Sequence, residues 1–414
     1  PSRMRAGTPR VKDAPGQPFP YLHLLTANSL SPRADESHMA FLRCVGLGKG
    51  FFGGAGFLLE ACPVSSLTTF FDRLEDPRAA NVSHRLGDIL VIVVAAHLCG
   101  VTTASEMALF ADLRKTALNR IVAYDTAPSH DTISRLLRRL EPAALGALLA
   151  QLGAALQAQL RGTDPGKDPG VIALDGKAMR RACDAACAAH PPLTVSAFAT
   201  QTRLSLGACH AGKSEVDLAL DVVHMLDLAG QTVTADALHA THRMTRALQQ
   251  KGAEYVLGLK QNRPAWYAEA EAAFATSPRP DLPPGGRSGC VVTAAMPRAA
   301  GHHAYGRVTS RRGAEPPVTR YFLLSRSMPA AELVAITRAH WAVENSLHWV
   351  LDVHLREDHA RARKDHAPAN TALLKRIARN LLTAAEQTKT PISHRIQKCA
   401  FNDTYLISAL AHMR

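Results

Sequence analysis

The chain has 414 residues, 47% of them hydrophobic, and its 48 lysines and arginines against 35 acidic residues give a net charge of +13. A net charge this high, on a composition typical of soluble globular proteins, favours a polyanionic partner, most simply nucleic acid. A basic protein that does not bind nucleic acid can have the same net charge. The eight cysteines include no CxxC pair, which disfavours a secreted disulfide scaffold and favours reduced thiols in the cytoplasm.

The composition of the first 65 residues predicts an irregular N-terminal arm. Within it, GLGKGFFGG at 46–54 lacks the GxxxxGK[ST] spacing of a phosphate loop and is interpreted as a flexible linker. Cys183, Cys187 and His190 match no standard zinc spacing. The longest apolar run, Ile89–Cys99, is far shorter than the roughly 20 residues that cross a bilayer, so no membrane association is expected.

Helical patterns dominate residues 66–161. Leu86–Cys99 is apolar throughout, which predicts a helix that is buried on most sides. Thr103 and Glu106 have the spacing of a capping box, which predicts that a second helix begins there. The stretch EPAALGALLAQLGAALQAQL predicts the last helix of this segment, and GTDPGKDPG at 162–170 predicts a linker.

A third helix is predicted to begin at Ser129. Its apolar residues fall at helical spacing on one face: Ile133, Leu136, Leu137 and Leu140. Its arginines lie largely off that face: Arg135, Arg138 and Arg139. Short helices with a basic outer surface suit a small DNA-binding bundle, and a solvated basic helix without a ligand is the equal alternative.

After the linker the pattern changes to strands alternating with helices. Strands are predicted at VIAL, LTVSAFAT, RLSLGACHA, TVTAD and YVLGLK, with helices at EVDLALDVVHMLDL and ALHATHRMTRALQQKG. This order predicts an α/β fold with a mixed sheet. The short β-like pieces within residues 265–330 predict an inserted β subdomain. A long helical run is predicted to begin near Ala330, and the pattern of NTALLKRIARNLLTAAEQ predicts a basic amphipathic helix.

Two of the predicted strands end on a carboxylate, at Asp175 and at Asp236. If the strands are neighbours, the two carboxylates lie close together and repel each other unless one is protonated or a cation binds between them. Oxygen ligands favour Mg²⁺ or Mn²⁺, and a pair of such ions is the usual arrangement for displacement at a phosphodiester. An aspartate at a strand end is also often only a turn former.

A third carboxylate is expected from a helix packed on the sheet. Glu344, in HWAVENSLHW, is the best candidate, since His340, Glu344, His348 and Asp352 recur every four residues. A His/Glu/His zinc site is a weaker alternative because HExxH is absent. Other acidic residues that could be the third ligand instead are Asp352, Glu357 and Asp358.

The ordered motifs resemble the DDE transposases of bacterial insertion sequences, specifically the ISAs-type group that includes the H-repeat-associated proteins. The resemblance covers roughly residues 66–385. It rests on FFDRLEDPR, PSHDTISRLL, IALDGKAMR, VSAFA, KSEVDLAL, VTADALHATHR, LGLKQNRP, HAYGRVTSR, HWAVENSLHWVLDVHLREDHARAR and LLKRIARNLL. Related elements often carry Tyr and Arg shortly before the third acidic residue and Lys after it; this chain has Thr337, Arg338, His340 and Leu351 there.

The resemblance implies an RNase H-like catalytic core at 170–390 with the β insertion inside it, a helical domain at 66–161 before it and a tail at 391–414. It implies that Asp175, Asp236 and Glu344 hold two Mg²⁺ ions, for which Mn²⁺ can substitute. It also implies Mg-dependent cleavage at the DNA ends of the element and strand transfer by the freed 3′-hydroxyl. The expected partners are the terminal repeats, the target DNA and a second copy of the chain, in the cytoplasm on the nucleoid.

Cations near the acidic motifs are predicted to bind phosphates. They are Lys177, Arg180, Lys260, Arg307 and Arg311, with His340 and His348 as further contacts. Trp341 and Trp349 could stack on unpaired bases, but core packing is the favoured interpretation. A nuclease that does not join, and a DNA-binding protein that has lost catalysis, share these features and stay alternatives.

Overall fold

The computed structural model describes residues 65–79, 81–161, 170–182, 191–210, 213–293, 304–386 and 388–411. Four of the sequence interpretations fall outside them: the N-terminal arm, GLGKGFFGG, nearly all of the linker, and the group Cys183, Cys187 and His190. The described residues belong to one compact unit.

The first part of this unit is helical. Its helices are α1 (Ser65–Phe71), α2 (Leu86–Leu98), α3 (Ala104–Leu113), α4 (Lys115–Leu118), α5 (His130–Arg139) and α6 (Pro142–Arg161). Every residue of α2 is buried, as its apolar sequence predicts. The predicted capping box at Thr103 and Glu106 is present, and the hydroxyl of Ser129 accepts the backbone N–H of Thr132 to begin α5.

Among the described residues, eight strands form one mixed sheet. They are β1 (Val171–Ala178), β2 (Leu193–Ala199), β3 (Leu204–His210), β4 (Thr232–Ala235), β5 (Glu254–Leu259), β6 (Arg287–Thr293), β7 (Ala304–Ser310) and β8 (Val318–Leu324). Their order is β3-β2-β1-β4-β5-β8-β7-β6. The pairs β1–β4 and β4–β5 are parallel and the other pairs are antiparallel. The predicted α/β fold with a mixed sheet is confirmed.

The segment interpreted as an inserted β subdomain differs from the prediction in two respects. It begins with a helix, α9 (Pro264–Ala273), and β8 returns to pair with β5, so β6–β8 extend the central sheet. The aromatic ring of Tyr321 on β8 contacts Tyr267 and Phe274, which holds α9 against the strand. Helical and strand patterns in this Pro- and Gly-rich segment are too short for periodicity to separate them.

The remaining helices cover the sheet. They are α7 (Glu215–Met225), α8 (His242–Gln250), α10 (Ala330–His340), a π-type segment (Val343–His348), α11 (Trp349–Val353), α12 (Ala367–Ala384), α13 (Ile392–Phe401) and α14 (Asp403–Leu410), with 3-10 turns at Ala237–His239 and Glu357–His359. The sequence interpretation left 391–414 as a tail, whereas α13 and α14 pack on α2 and α12.

Helix α12 corrects the prediction of an amphipathic helix. All residues from Ala367 to Thr383 are buried, because α12 lies between the N-terminal helices and strand β3. The side chain of Asn380 pairs with both backbone groups of Ser205 on β3, at 2.8 and 2.7 Å. A helix therefore covers this edge of the sheet, which blocks pairing with another strand.

One described helix, α6, is long and apolar enough to cross a membrane by length and composition alone. It packs closely on β3: a Cβ added at Gly153 would lie 2.8 Å from the Cα of Leu206. Leu145, Leu149 and Leu156 of α6 belong to the hydrophobic core that includes the sheet. Glycine at this position permits the close approach of helix and strand.

Candidate active site

Asp175 and Asp236 lie on neighbouring parallel strands. In the register of β1 and β4, Leu174 pairs with Ala235, so the two aspartates follow a matched pair. Neighbouring strands are about 4.8 Å apart, which brings both aspartates to one edge region of the sheet. Strand β1 continues to Ala178 instead of ending at Asp175, because its far end still pairs with β2.

The carboxylate of Asp175 lies in a partly buried position beside Glu344. Its Oδ1 accepts the backbone N–H of Gly176 at 3.0 Å. Burial, the adjacent charge of Glu344 and a hydrogen bond between the two side chains raise the pKa of Asp175 to about 7. Two carboxylates this close cannot both be ionised at low cost without a cation, so they share a proton or a metal ion.

His348 completes a compact group with these carboxylates. The donor atoms of Asp175, Glu344 and His348 all lie within 4.8 Å of one another. His348 Nδ1 is 3.5 Å from Asp175 Oδ2 and 3.6 Å from Glu344 Oε2. Burial and the nearby charge of Arg376 lower the pKa of His348, so its ring is neutral at pH 7. The prediction that His348 binds a phosphate is corrected, since its side chain is buried against the carboxylates.

Asp236 is oriented differently from Asp175. Its Oδ1 accepts the backbone N–H of Ala237 at 2.5 Å and lies 3.3 Å from Lys260 Nζ. Burial opposes its charge, but the N–H of Ala237 and the ammonium of Lys260 outweigh that effect and lower its pKa. In the described chain, Asp236 is not part of the compact group of Asp175, Glu344 and His348. It lines the same cleft, however, and remains an ionised carboxylate there.

Glu215 also approaches Asp175, and the sequence interpretation missed it. A Cβ at Gly176 would lie 2.4 Å from Glu215 Oε1, so only glycine lets the Glu215 side chain pack against this strand. Glu215 Oε1 is 3.4 Å from Nε2 of the fully buried His239. The negative charge of Glu215 contributes to the raised pKa of Asp175. The only sequence signal was the tripeptide Lys213–Glu215 at the start of a predicted helix.

A cleft of about 320 Å³ opens above these residues. Its polar and charged lining consists of Asp175, Thr234, Asp236, Lys260, Arg287, Ser310, Arg320, Tyr321, Thr337, His340, Trp341 and Glu344. The lining therefore combines three carboxylates with the cations Lys260, Arg287 and Arg320. This arrangement suits a phosphodiester, whose charge the arginines neutralise while the carboxylates hold a cation.

The arginines of the cleft were not among the predicted phosphate contacts. Arg287 and Arg320 come from β6 and β8, and Arg338 of α10, which does not line the cleft, lies close enough to Arg287 to affect its pKa. Burial and the charges of Arg338 and Arg320 lower the pKa of Arg287. Three like charges held near one another are costly without an anion between them. Sequence reasoning missed Arg287 and Arg320 because they lie in none of the recognised motifs, and they come near Arg338 only in the folded structure.

The alternative third ligands are engaged elsewhere. Asp352 Oδ1 and Asp358 Oδ1 lie 2.6 and 2.9 Å from Lys177 Nζ. Glu357 is fully buried and pairs with Arg376 at 2.7 Å. Lys177 itself is buried, which opposes its charge, but Glu357, Asp352 and Asp358 together raise its pKa. The prediction that Lys177 contacts DNA is therefore corrected: it joins β1 to the segment after Glu344.

The prediction that Arg307 binds a DNA phosphate is also corrected. It is 4% exposed, and its guanidinium donates to the backbone carbonyls of Phe274, Ser277 and Pro278. It lies over the Phe274 ring at 5.0 Å. The guanidinium holds the end of α9 against β7 and has no DNA-facing surface.

Two domain families match this chain. Residues 68–152 match the DDE_Tnp_1-associated domain, and residues 166–381 match the transposase DDE domain. The chain belongs to the DDE transposase family. The resemblance drawn from the sequence motifs is confirmed, and the three predicted acidic residues Asp175, Asp236 and Glu344 all fall within the matched DDE domain.

Three curated relatives cover much of this transposase. YbfL of Escherichia coli (strain K12) is 25% identical over 363 residues, which span 81% of this chain and 94% of YbfL. The H repeat-associated protein YhhI of the same strain is 24% identical over 360 residues, 80% and 93% of the two chains. An uncharacterized protein in the dhlA 3′ region of Xanthobacter autotrophicus is 29% identical over 269 residues, 63% and 82%.

One solved structure gives a distant match to this chain. It is a piggyBac transposase synaptic complex with hairpin DNA, with 11% sequence identity and a TM-score of 0.40. The match covers 84% of this chain and 79% of that one.

The other predicted DNA contacts of the transposase occupy several surfaces. Lys260 lies in the cleft beside Asp236, and His340 Nδ1 is 2.9 Å from Thr234 Oγ1 at the cleft wall. The Arg180 side chain is 82% exposed, and Arg311 lies 3.5 Å from Asp281. On helix α5, Arg138 pairs with Asp365 at 2.7 Å, whereas two further arginines are exposed: Arg135 and Arg139.

The two tryptophans near Glu344 are exposed, contrary to the favoured interpretation. Trp341 is 50% exposed and Trp349 is 52% exposed. Leu347 and Leu351 take the core-facing positions instead, against Ala173 of β1. Trp341 lines the cleft of the transposase and presents an aromatic surface there.

Proposed function

We propose that this chain is an active transposase that cleaves DNA at the ends of its own insertion sequence and joins the freed 3′-hydroxyl to target DNA. The observation that carries the proposal is the cleft of a DDE-family chain in which Asp175 and Glu344 meet, Asp236 follows on the neighbouring strand, and Arg287, Arg320 and Lys260 share the lining.

The proposal includes a helical, DNA-binding segment at 66–161 and an RNase H-like catalytic domain at 170–390, whose central sheet β6–β8 extend. The family matches at 68–152 and 166–381 support both segments. The exposed Arg135 and Arg139 on helix α5 support contact with a polyanion. The transposase acts in the cytoplasm on the nucleoid, as a homo-oligomer on DNA.

The donor set fits a divalent cation. The carboxylates of Asp175 and Glu344 are close enough to share a proton, and a hard cation such as Mg²⁺ or Mn²⁺ replaces that proton favourably. Asp236 is the third acidic ligand, and the proposal assigns two ions to the three carboxylates. When bound, such ions lower the pKa of an attacking water or 3′-hydroxyl and neutralise the leaving oxygen.

The chain's own residues position the DNA. Arg287, Arg320 and Lys260 bind phosphates across the cleft, which places a backbone beside the acidic group. Arg338 adds positive charge near Arg287. The exposed ring of Trp341 stacks on a base that leaves the duplex near the cleavage point.

Addition of Mn²⁺ or Mg²⁺ is expected to raise the melting temperature of the wild-type protein. The cation binds the folded carboxylate group but not the unfolded chain, so an excess of about 100 Kd stabilises the fold by about 2.7 kcal/mol. Asp175→Asn should show a much smaller rise. Equal rises in both proteins, measured by differential scanning fluorimetry at fixed ionic strength, would place the bound cation elsewhere.

Removal of two cleft arginines is expected to weaken DNA binding at every salt concentration. Arg287→Gln with Arg320→Gln removes two phosphate contacts, so the slope of log K against log salt should become shallower by about 2. Arg246→Gln, an exposed cation that lines a different depression, is the matched control and should leave the slope unchanged. Fluorescence anisotropy of a labelled duplex measures both quantities, and an unchanged slope in the double variant contradicts a phosphate role.

The function is tested with duplexes that carry the ends of the element beside this gene. Wild-type protein and Mg²⁺ should release 3′-hydroxyl ends at the element boundary and join them to a supercoiled plasmid. Cleavage without joined products favours the nuclease alternative. DNA binding without any product, on these ends and with either Mg²⁺ or Mn²⁺, favours a DNA-binding protein that has lost catalysis.

A further inference from the structure

The imidazole of His348 faces the two carboxylates without being hydrogen-bonded to either. Its Nδ1 lies 3.5 Å from Asp175 Oδ2 and 3.6 Å from Glu344 Oε2, beyond the range of an N–H···O bond. The other ring nitrogen, Nε2, is buried and has no hydrogen-bond partner in the described chain. The side chain is only 8% exposed. Nδ1 is therefore the nitrogen that faces the carboxylates, and imidazole binds metal ions through either ring nitrogen.

The three donor atoms have the spacing of a ligand set. Two ligands that bind one Mg²⁺ or Mn²⁺ at about 2.1 Å in octahedral geometry are roughly 3 Å apart. The nitrogen-to-oxygen separations of 3.5 and 3.6 Å exceed this value by only a few tenths of an ångström. Small side-chain movements would therefore bring all three atoms around a single ion.

The local backbone explains why Glu344 and His348 face the same point. They lie in the π-type segment Val343–His348, whose wider turns bring residues four apart closer to one line than an α-helix does. Val343 and Leu347, each one residue before a donor, are fully buried in a cluster with Ala173 of β1 and Phe198 of β2. This packing holds the segment on the strand that carries Asp175. Local π turns often occur at functional sites.

We propose that His348 is a nitrogen ligand of the divalent cation held by Asp175 and Glu344. The inference rests on the proposed function, to which it adds a ligand outside the three acidic residues and a consequence for metal choice. An imidazole nitrogen favours Mn²⁺ over Mg²⁺, and disfavours Ca²⁺, relative to a site made of oxygen atoms alone. His348 thus biases this centre towards Mn²⁺.

The direct test is pulsed electron paramagnetic resonance of the full chain with less than one equivalent of Mn²⁺. A bound imidazole gives a ¹⁴N modulation of the Mn²⁺ signal, which a carboxylate cannot give. We expect this modulation in the wild-type protein and in His340→Gln, which removes the other imidazole of the cleft. We expect the ¹⁴N modulation to be lost in His348→Gln. This variant should still bind Mn²⁺, with an affinity about tenfold lower than that of the wild-type protein, and its affinity for Mg²⁺ should change less.

The outcomes separate this inference from the proposed function. If wild-type protein binds Mn²⁺ without ¹⁴N modulation, while Asp175→Asn abolishes that binding, the acidic centre stands and the role of His348 is wrong. If His348→Gln keeps the modulation, the nitrogen belongs to another residue and the inference is likewise overturned. If Asp175→Asn binds Mn²⁺ as the wild-type protein does, the acidic centre itself is misplaced and both proposals fail. Should His348→Gln not fold, absence of ¹⁴N modulation in the wild-type protein still overturns the inference, as does its loss in His340→Gln, whereas its retention in His340→Gln supports His348.

Discussion

Asp175→Asn is expected to abolish DNA cleavage and joining while the protein stays folded. The loss should reach at least about a thousandfold, or about 4 kcal/mol of transition-state stabilisation, since a neutral amide is a poor ligand for a cation that must neutralise a phosphodiester. Cleavage of supercoiled plasmid with Mg²⁺, followed on gels, measures this loss.

The same substitution should leave stability in the absence of added metal unchanged or raised. The amide side chain has the shape of the carboxylate that it replaces and keeps an oxygen for the N–H of Gly176. It also ends the repulsion between Asp175 and Glu344 that, with burial, raises the pKa of Asp175. Circular dichroism melts in EDTA compare the two proteins. DNA affinity should change little, because the cations that line the cleft, Arg287, Arg320 and Lys260, are unchanged.

A matched control is Asp281→Asn, which changes a carboxylate that is 96% exposed and lies outside the cleft. It should cleave as the wild-type protein does. Should Asp175→Asn retain more than about a tenth of the wild-type rate while Asp236→Asn is inactive, Asp175 is not an essential ligand and the assignment on β1 is wrong.

The parts of the site that depend on strand order could be predicted from the sequence. Apolar runs that end in Asp175 and Asp236 read as buried parallel strands, and parallel strands place the residues that follow them side by side. Glu344 could be predicted as a candidate, because His340, Glu344, His348 and Asp352 recur every four residues in a predicted helical run. Its place beside Asp175 came from the structure.

The contacts that depend on distant residues could not be predicted. Lys177 and Arg307 look like surface cations in the sequence, because the carboxylates and carbonyls that bury them come from segments about 30 to 180 residues away. The exposure of Trp341 also contradicts the usual burial of aromatic residues, since Leu347 takes the inward position. The π-type segment has no sequence signature, and it sets the direction of both Glu344 and His348.

Glu357→Gln is expected to destabilise the fold by about 3–5 kcal/mol. Glu357 is fully buried, and its carboxylate accepts from Arg376 at 2.7 Å and lies 3.5 Å from Lys177. Lys375 is also buried nearby and adds to the positive charge that Glu357 balances. A neutral glutamine leaves these cations without their central anion, and removal of one partner from a buried ion pair typically costs this much. Urea unfolding at pH 7 measures the difference.

The difference in the free energy of unfolding between the wild-type protein and Glu357→Gln should become smaller as the pH falls. Burial opposes the charge of Glu357, but Arg376 and Lys177 outweigh it and lower its pKa below the ordinary value of 4.5. The stability it contributes is complete above about pH 4.5 and is lost as the pH falls through the folded-state value. We therefore expect a constant gap between wild type and Glu357→Gln from pH 5 to 7 that narrows in more acidic solution.

Two further variants show whether the buried charges act together. Asp365→Asn breaks the exposed pair with Arg138 and should cost less than about 1 kcal/mol. Glu357→Gln combined with Arg376→Met should lower the free energy of unfolding by less than the sum of the two single changes, because Arg376→Met removes a cation that Glu357→Gln left unpaired.

Lys177 links the same buried charges to the strand of Asp175, so Glu357→Gln should also slow cleavage without abolishing it. Additive costs, with cleavage unaffected, would mean that the buried charges support the fold separately from the active site.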